Sequence, residues 1–296
     1  MVFHFRQYVL FILVPFSLVV MIQDTWHILP VTLRNRLTES GVVTAFILAG
    51  VGLALVVLPL LLRYEWKTRP LSSGPLRERL EALLARTHLA CRQILLWDTY
   101  GGQMVNACVT GFVGLTRYIF LTDTLIDALD ADEIVAVFAH EIGHVKRHHM
   151  WFYIMFAGGF VLILAGGQAL LGLGTSGVLF VLGLMVVYWG FGFGYLSRRM
   201  EVEADLYAAE VCGGVFDFVN SLEKIALASG KSRSAGSWRH FSIERRVNFL
   251  VDTVGDVTAV ATFRREARLL KALCVLIAVA TVLTALFFPE FFRAGL

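Results

Sequence analysis

Charged residues are scarce in this chain: Asp, Glu, Lys and Arg make up 17% of 296 residues, against roughly 25% in ordinary soluble domains. Together with 57% hydrophobic residues, that scarcity excludes a disordered chain. It also excludes an ordinary soluble globule, whose single core could not hide so much apolar surface. A strong charge of one sign is missing too. The 26 Lys and Arg nearly balance 23 Asp and Glu, leaving a net charge of +3, and nucleic acid is excluded as the main partner. The four cysteines (Cys91, Cys108, Cys212 and Cys274) form no CxxC pair. That spacing excludes a disulfide framework and thiolate metal sites and points to a reducing compartment. Internal repeats and low-complexity tracts are also absent.

What is abundant is apolar sequence gathered in blocks. A spanning helix needs about 20 mostly apolar residues to cross about 30 Å of hydrocarbon. Residues 42–62 carry no charge and fit one span. Residues 150–197 are also uncharged and too long for one span, and the glycine-rich stretch 172–177 divides them into a helical hairpin. Residues 272–288, between Lys271 and Pro289, read as a last span. The run 8–22 is short and contains Pro15; no small-residue cleavage site follows it and another span comes next, so it reads as an uncleaved first span. Five spans result. They divide the chain into two N-terminal transmembrane helices (1–62), a first water-side segment (63–149), a transmembrane hairpin (150–197), a second water-side segment (198–270) and a C-terminal transmembrane helix (271–296).

Charge orients this layout. Of the 26 Lys and Arg, all but Arg34, Arg36 and Arg293 fall on the side of the two water-side segments, which the positive-inside rule makes cytoplasmic. The basic cluster Arg264, Arg265, Arg268 and Lys271 then reads as a topology signal in contact with lipid headgroups. Glycines 158, 159, 166, 167, 190 and 194 read as places where spans approach closely.

The water-side segments have an ordinary α+β pattern. Pro75 opens a helix with Leu76, Leu80, Leu83 and Leu84 at helical spacing. Residues 94–97, 104–110 and 118–121 read as strands of a small sheet, with Gly101-Gly102 as a turn. Asp130 and Glu133 have the spacing of a capping box, and the helix they open carries His140-Glu141-Ile142-Gly143-His144. Histidines four residues apart stack on one helix face, so both imidazoles can hold one ion, with Glu141 beside them to take a proton from water on that ion. Zinc suits such a site because it accepts nitrogen and oxygen ligands and leaves a position open. His148 continues the same face and His149 follows; both read as interfacial residues. A third protein ligand is required. After the hairpin come Glu201, Glu203 and Asp205, and spacing alone admits either glutamate. Glu201 shares a face with Asp205, which is placed to orient a ligand imidazole, whereas Glu203 points nearly away.

The HExxH, the pair of spans and the following Glu201-x-x-Ala204-Asp205 together resemble the membrane-embedded zinc metalloproteases of the HtpX heat-shock protease and type I CAAX prenyl endoprotease family. Val105-Asn106-Ala107 is similar to that family's NA-containing edge strand. His240 with Arg246 is similar to its HPxxxxR segment, with Phe241 where the family usually has proline. The resemblance implies a multi-spanning α-helical membrane protein with a zincin-like (gluzincin) α+β catalytic domain around a small sheet. It implies one zinc per chain held by His140, His144 and Glu201, with Asp205 behind them. Glu141 would be the base and His240 would face the developing oxyanion, while Asn106 and Arg246 would touch substrate. The partners implied are a polypeptide substrate, membrane-associated or misfolded, and the lipid bilayer; the location implied is a bacterial inner membrane with the catalytic side cytoplasmic. A zinc-binding membrane receptor or scaffold without activity is the alternative, and the intact Glu141 argues against it, since a structural site needs no base.

Overall fold

A computed structural model describes residues 28–33, 36, 42–100, 102, 104–171, 175–230, 232–236, 240–253 and 255–287. The expected first span (8–22) and part of the expected hairpin turn (172–174) lie outside the described residues.

Helix α1 (Val42–Glu65) leads into a mixed four-stranded sheet built from β1 (Thr68–Pro70), β2 (Gln93–Trp97), β3 (Ala107–Thr110) and β4 (Tyr118–Thr122). The spatial order is β1-β2-β4-β3, with β2 parallel to β4 and the outer pairs antiparallel. All five residues of β4 are buried, which explains its unbroken Tyr-Ile-Phe-Leu run: a central strand covered on both faces does not alternate. Strand β3 begins later than residue 104, because the Asn106 N–H donates to the Thr122 hydroxyl at 3.1 Å instead of a ladder carbonyl. Strand β1 was not legible, being three residues long and ending in proline.

Helix α2 (Pro75–Arg86) buries Leu80 and Leu83 against the sheet-side core. After the short α3 (Asp123–Ala128) comes α4 (Ala131–Lys146). Its N-terminus is the expected capping box: Asp130 accepts from the N–H groups of Asp132 and Glu133, and the Glu133 carboxylate accepts from the Asp130 N–H at 2.9 Å. The helix stops at Arg147, and His148 takes a left-handed φ of 60°. A separate helix, α5 (His149–Leu171), starts directly after it.

From Thr175 to Cys212 the chain is helical throughout, as α6 (Thr175–Val187), a π-helical turn (Tyr188–Phe193) and α7 (Gly194–Cys212). No structural break therefore marks residue 197. Helices α8 (Phe216–Ala228) and α9 (Ile243–Thr253) follow, and α10 (Val257–Phe287) runs without interruption through residue 271. Two described helical stretches are long and apolar enough to cross a membrane, Leu179–Cys212 and Val257–Thr284. Of the glycines expected to permit close approach, Gly159 does so. A Cβ there would lie 2.4 Å from Ile277 Cγ2 and 2.8 Å from the Tyr188 hydroxyl. That hydroxyl donates to the Phe156 carbonyl at 2.6 Å and ties the π turn to α5; such turns gather near functional sites. Gly158 and Gly190 have open space around them instead.

Candidate metal centre

Helices α4 and α7 lie close enough for their backbones nearly to touch. A Cβ on Gly143 would sit 3.1 Å from Ala204 Cα and 3.2 Å from Tyr207 Cβ. Small residues at 143 and 204 thus let carboxylates on α7 reach imidazoles on α4. His140 Nε2 and His144 Nε2 are 3.2 Å apart. Glu201 brings one carboxylate oxygen 3.8 Å from the first and the other 3.5 Å from the second. A tetrahedral ion with bonds of about 2.0–2.2 Å separates its ligands by about 3.3–3.6 Å. The separations between the two imidazoles and from His144 to Glu201 lie in or near that range, while the one from His140, to the other carboxylate oxygen, is wider. Glu141 stands at the rim of the same cluster, its ligand-type atoms within 4.8 Å of those of His140 and His144.

The electrostatics suit a cation. Burial disfavours a charge on His140, but Asp205 and then Glu201 outweigh it and hold its pKa above the ordinary value. The same two carboxylates attract any cation placed between the imidazoles. Burial pushes His144 down to about 3, so its ring is neutral and offers a lone pair. Burial, reinforced by the Glu201 charge and opposed by His140 and the Val109 N–H, pushes Glu141 up to about 7. A carboxylate poised near neutrality both takes and gives protons well.

Support for the two imidazoles comes from opposite sides. Behind His140, Nδ1 is 2.8 Å from Asp205 Oδ1, a short contact that departs from ideal hydrogen-bond alignment. Asp205 is itself gripped by the fork of Arg246, at 2.8 and 2.5 Å. The structure thus brings Asp205 and Arg246 together behind His140, and two Arg246 donors are committed to Asp205. The ring of His140 stacks on Phe218 of α8, with centroids 5.4 Å apart. Behind His144, Nδ1 is 2.9 Å from Nδ1 of His149, whose Nε2 is 2.9 Å from Glu203. Lys271 of α10 completes that chain with its ammonium 2.6 Å from the Glu203 carboxylate. The expectation that His149 is interfacial is corrected here: the residue is fully buried, because the turn at His148 swings it beneath His144. Phe218 and Lys271 also escaped the sequence reading. Phe218 has no motif to signal it, and Lys271 looked like a topology charge.

His240 Nδ1 lies 2.9 Å from Glu201, with its side chain half exposed. It faces a cavity of about 410 Å³ walled by Tyr195, Arg198, Phe241 and Arg245 among others. Asn106 sits exposed just ahead of β3, the sheet edge nearest the site, with its backbone tied to Thr122. From that edge the Val109 N–H donates to Glu141 at 3.1 Å. Glu141 and the outer strand of the sheet are therefore neighbours.

Asp205→Asn tests the support behind His140. It keeps the shape but weakens the acceptor of the Nδ1 proton and leaves Arg246 without its counter-charge, so metal affinity or activity falls by about 10–100-fold. Zinc titration against a competing chelator reads the effect.

The sequence matches the model of peptidase family M48 over residues 70–285. The chain belongs to this family. Among curated relatives it is 33% identical over 107 residues to CAAX prenyl protease 1 of Saccharomyces cerevisiae, covering 36% of this chain and 24% of that protein. It is 29% identical over 161 residues to protease HtpX of Xanthomonas oryzae pv. oryzae, covering 49% and 55%. These family relatives are matched over about a quarter to just over half of their length. The crystal structure of S. mikatae Ste24p superposes with a TM-score of 0.66 at 19% identity, covering 84% of this chain and 66% of that one, and so shares the fold.

Proposed function

We propose that this M48 chain is an integral-membrane zinc endopeptidase of the gluzincin type, with one zinc per chain held by His140, His144 and Glu201. The observation that carries the reading is the convergence of two imidazole nitrogens and the Glu201 carboxylate at 3.2–3.8 Å, with a second carboxylate, Glu141, within 4.8 Å of both imidazoles and hydrogen-bonded to the outer strand of the sheet. Zinc bound there supplies Lewis acidity, making water acidic near neutral pH and polarising a carbonyl.

The chain's own residues do the rest. Glu141 takes the proton of the attacking water and passes it to the leaving nitrogen. His240 lies beside Glu201 and open to the cavity, where it donates to the oxyanion; one such donor is typically worth about 2.7–4 kcal/mol. Strand β3, with Asn106 at its entrance, pairs with an extended substrate and reads backbone more than side chains. When a substrate strand takes that edge, Glu141 gives up the Val109 N–H and turns to the water. Such recognition suits membrane-associated or misfolded polypeptides, in keeping with relatives named as a CAAX prenyl protease and as protease HtpX.

Five spans with both catalytic segments in the cytoplasm complete the proposal, with the segment boundaries drawn from the sequence. Cysteines placed at Thr175 and at Ser232, after masking the four native cysteines, should differ in reaction with a membrane-impermeant thiol reagent on intact cells, Thr175 labelling and Ser232 not. Equal labelling would refute the hairpin. The activity is tested on the purified protein in detergent: metal analysis should give about one zinc per chain, and cleavage of an unfolded polypeptide should vanish with chelator and return with zinc. A protein that binds zinc and never cleaves would overturn the enzymatic reading.

A further inference from the structure

The two imidazoles of the donor cluster are not supported alike. His140 leans directly on a carboxylate, whereas His144 meets another histidine. Two ring nitrogens 2.9 Å apart attract only if one carries a proton and the other does not. The far side of His149 settles which. Glu203 accepts and does not donate when ionised, so the proton between it and His149 sits on His149 Nε2, at 2.9 Å. A neutral His149 then offers a lone pair at Nδ1, which accepts the Nδ1 proton of His144. With that proton fixed, His144 presents its lone pair at Nε2, the atom that faces His140 Nε2 and Glu201.

The far end of the chain is anchored as well. Lys271 places its ammonium 2.6 Å from Glu203 and also donates to the Arg147 carbonyl at 3.0 Å, at the point where α4 ends. It neutralises Glu203 and fastens α10 to the end of the helix that carries both histidines. His149 is wholly buried, and the side chains of Glu203 and Lys271 are only 11% and 14% exposed. So much buried polarity is costly unless every group is partnered, and each group in this chain is.

We propose that His149, Glu203 and Lys271 are positioning residues that hold His144 in its metal-binding tautomer and orientation, and that α10 is through Lys271 a working part of the metal centre. This rests on the reading of the cluster as a zinc site. Imidazole ligands are ordinarily fixed by an acceptor on the other ring nitrogen. Here that acceptor is a second imidazole, made basic by a carboxylate from α7 and locked by a cation from α10.

The test uses the full-length protein in detergent, loaded with zinc or with cobalt as a spectroscopic probe. The variants are Glu203→Gln with Lys271→Met, combined so that no lone buried charge remains, His149→Phe, and Lys271→Arg as the conservative change. Zinc affinity by chelator competition should fall by about 10–100-fold in the double variant and in His149→Phe. The visible cobalt spectrum should change in shape, because the ligand field follows the orientation of His144, and a purely structural role would leave it unaltered in the folded fraction. Lys271→Arg should retain the parental spectrum and affinity. If the parent binds zinc while the double variant and His149→Phe, folded by thermal melting, keep its affinity and spectrum, this proposal is overturned and the zinc site stands. If the parent itself takes up neither zinc nor cobalt, the reading of the cluster fails, and this inference fails with it.

Discussion

Glu141→Gln should lower peptide turnover by about 10²–10⁴-fold and leave about one zinc per chain. On the proposed reading Glu141 is the base and not a ligand: its carboxylate lies within 4.8 Å of the two imidazoles and accepts a hydrogen bond from the Val109 N–H of the edge strand. Gln keeps the volume and can still accept that bond, but it cannot take a proton from water. Single-turnover cleavage and metal analysis on the same preparation check both halves. Retained turnover would remove Glu141 from the mechanism. Zinc lost along with turnover would show that Glu141 acts through the metal's environment rather than as the base.

Glu201→Gln should release the metal, with a loss of affinity larger than the roughly 100-fold ceiling typical of groups that act behind the ligands. Glu201 approaches both imidazole nitrogens, at 3.8 and 3.5 Å, and supplies the anionic charge of the donor set. A neutral amide leaves two histidines, which are too few for a zinc site. His240, 2.9 Å from Glu201, would lose its ionic partner at the same time, so activity should not return at zinc concentrations that restore occupancy. Zinc titration followed by a cleavage assay at saturating metal separates the two effects. A variant that binds zinc as tightly as the parent would shift the third ligand elsewhere.

The part of the site that was legible in the sequence is the part that obeys helix arithmetic. His140 and His144 converge because residues four apart stack, and Glu201 and Asp205 share a face of α7 for the same reason. The capping box at Asp130 and Glu133 formed as its spacing predicts. What escaped depended on events between elements. Reading residues 140–149 as one continuous helix carries His149 away from His144, but the left-handed turn at His148 restarts the chain and brings it back. Glu203 does face away from the imidazole cluster, yet the opposite face of α7 is also buried, so facing away did not mean facing water. Nothing local announces that Lys271, some 130 residues after His140, will meet it. The three-residue β1 escaped for a related reason: it is too short for a periodic signal.

The order of residues along the chain also has a consequence in time. The helix with His140, Glu141 and His144 is made first, whereas α7 with Glu201 lies about 60 residues downstream, roughly 3–12 s later at 5–20 residues per second. Arg246 and Lys271, which brace the carboxylates, come later still. Between those moments the growing chain holds His140, Glu141 and His144 without the Glu201 carboxylate. On the proposed reading, the donor set is therefore complete only after α7 has been made and has docked against α4.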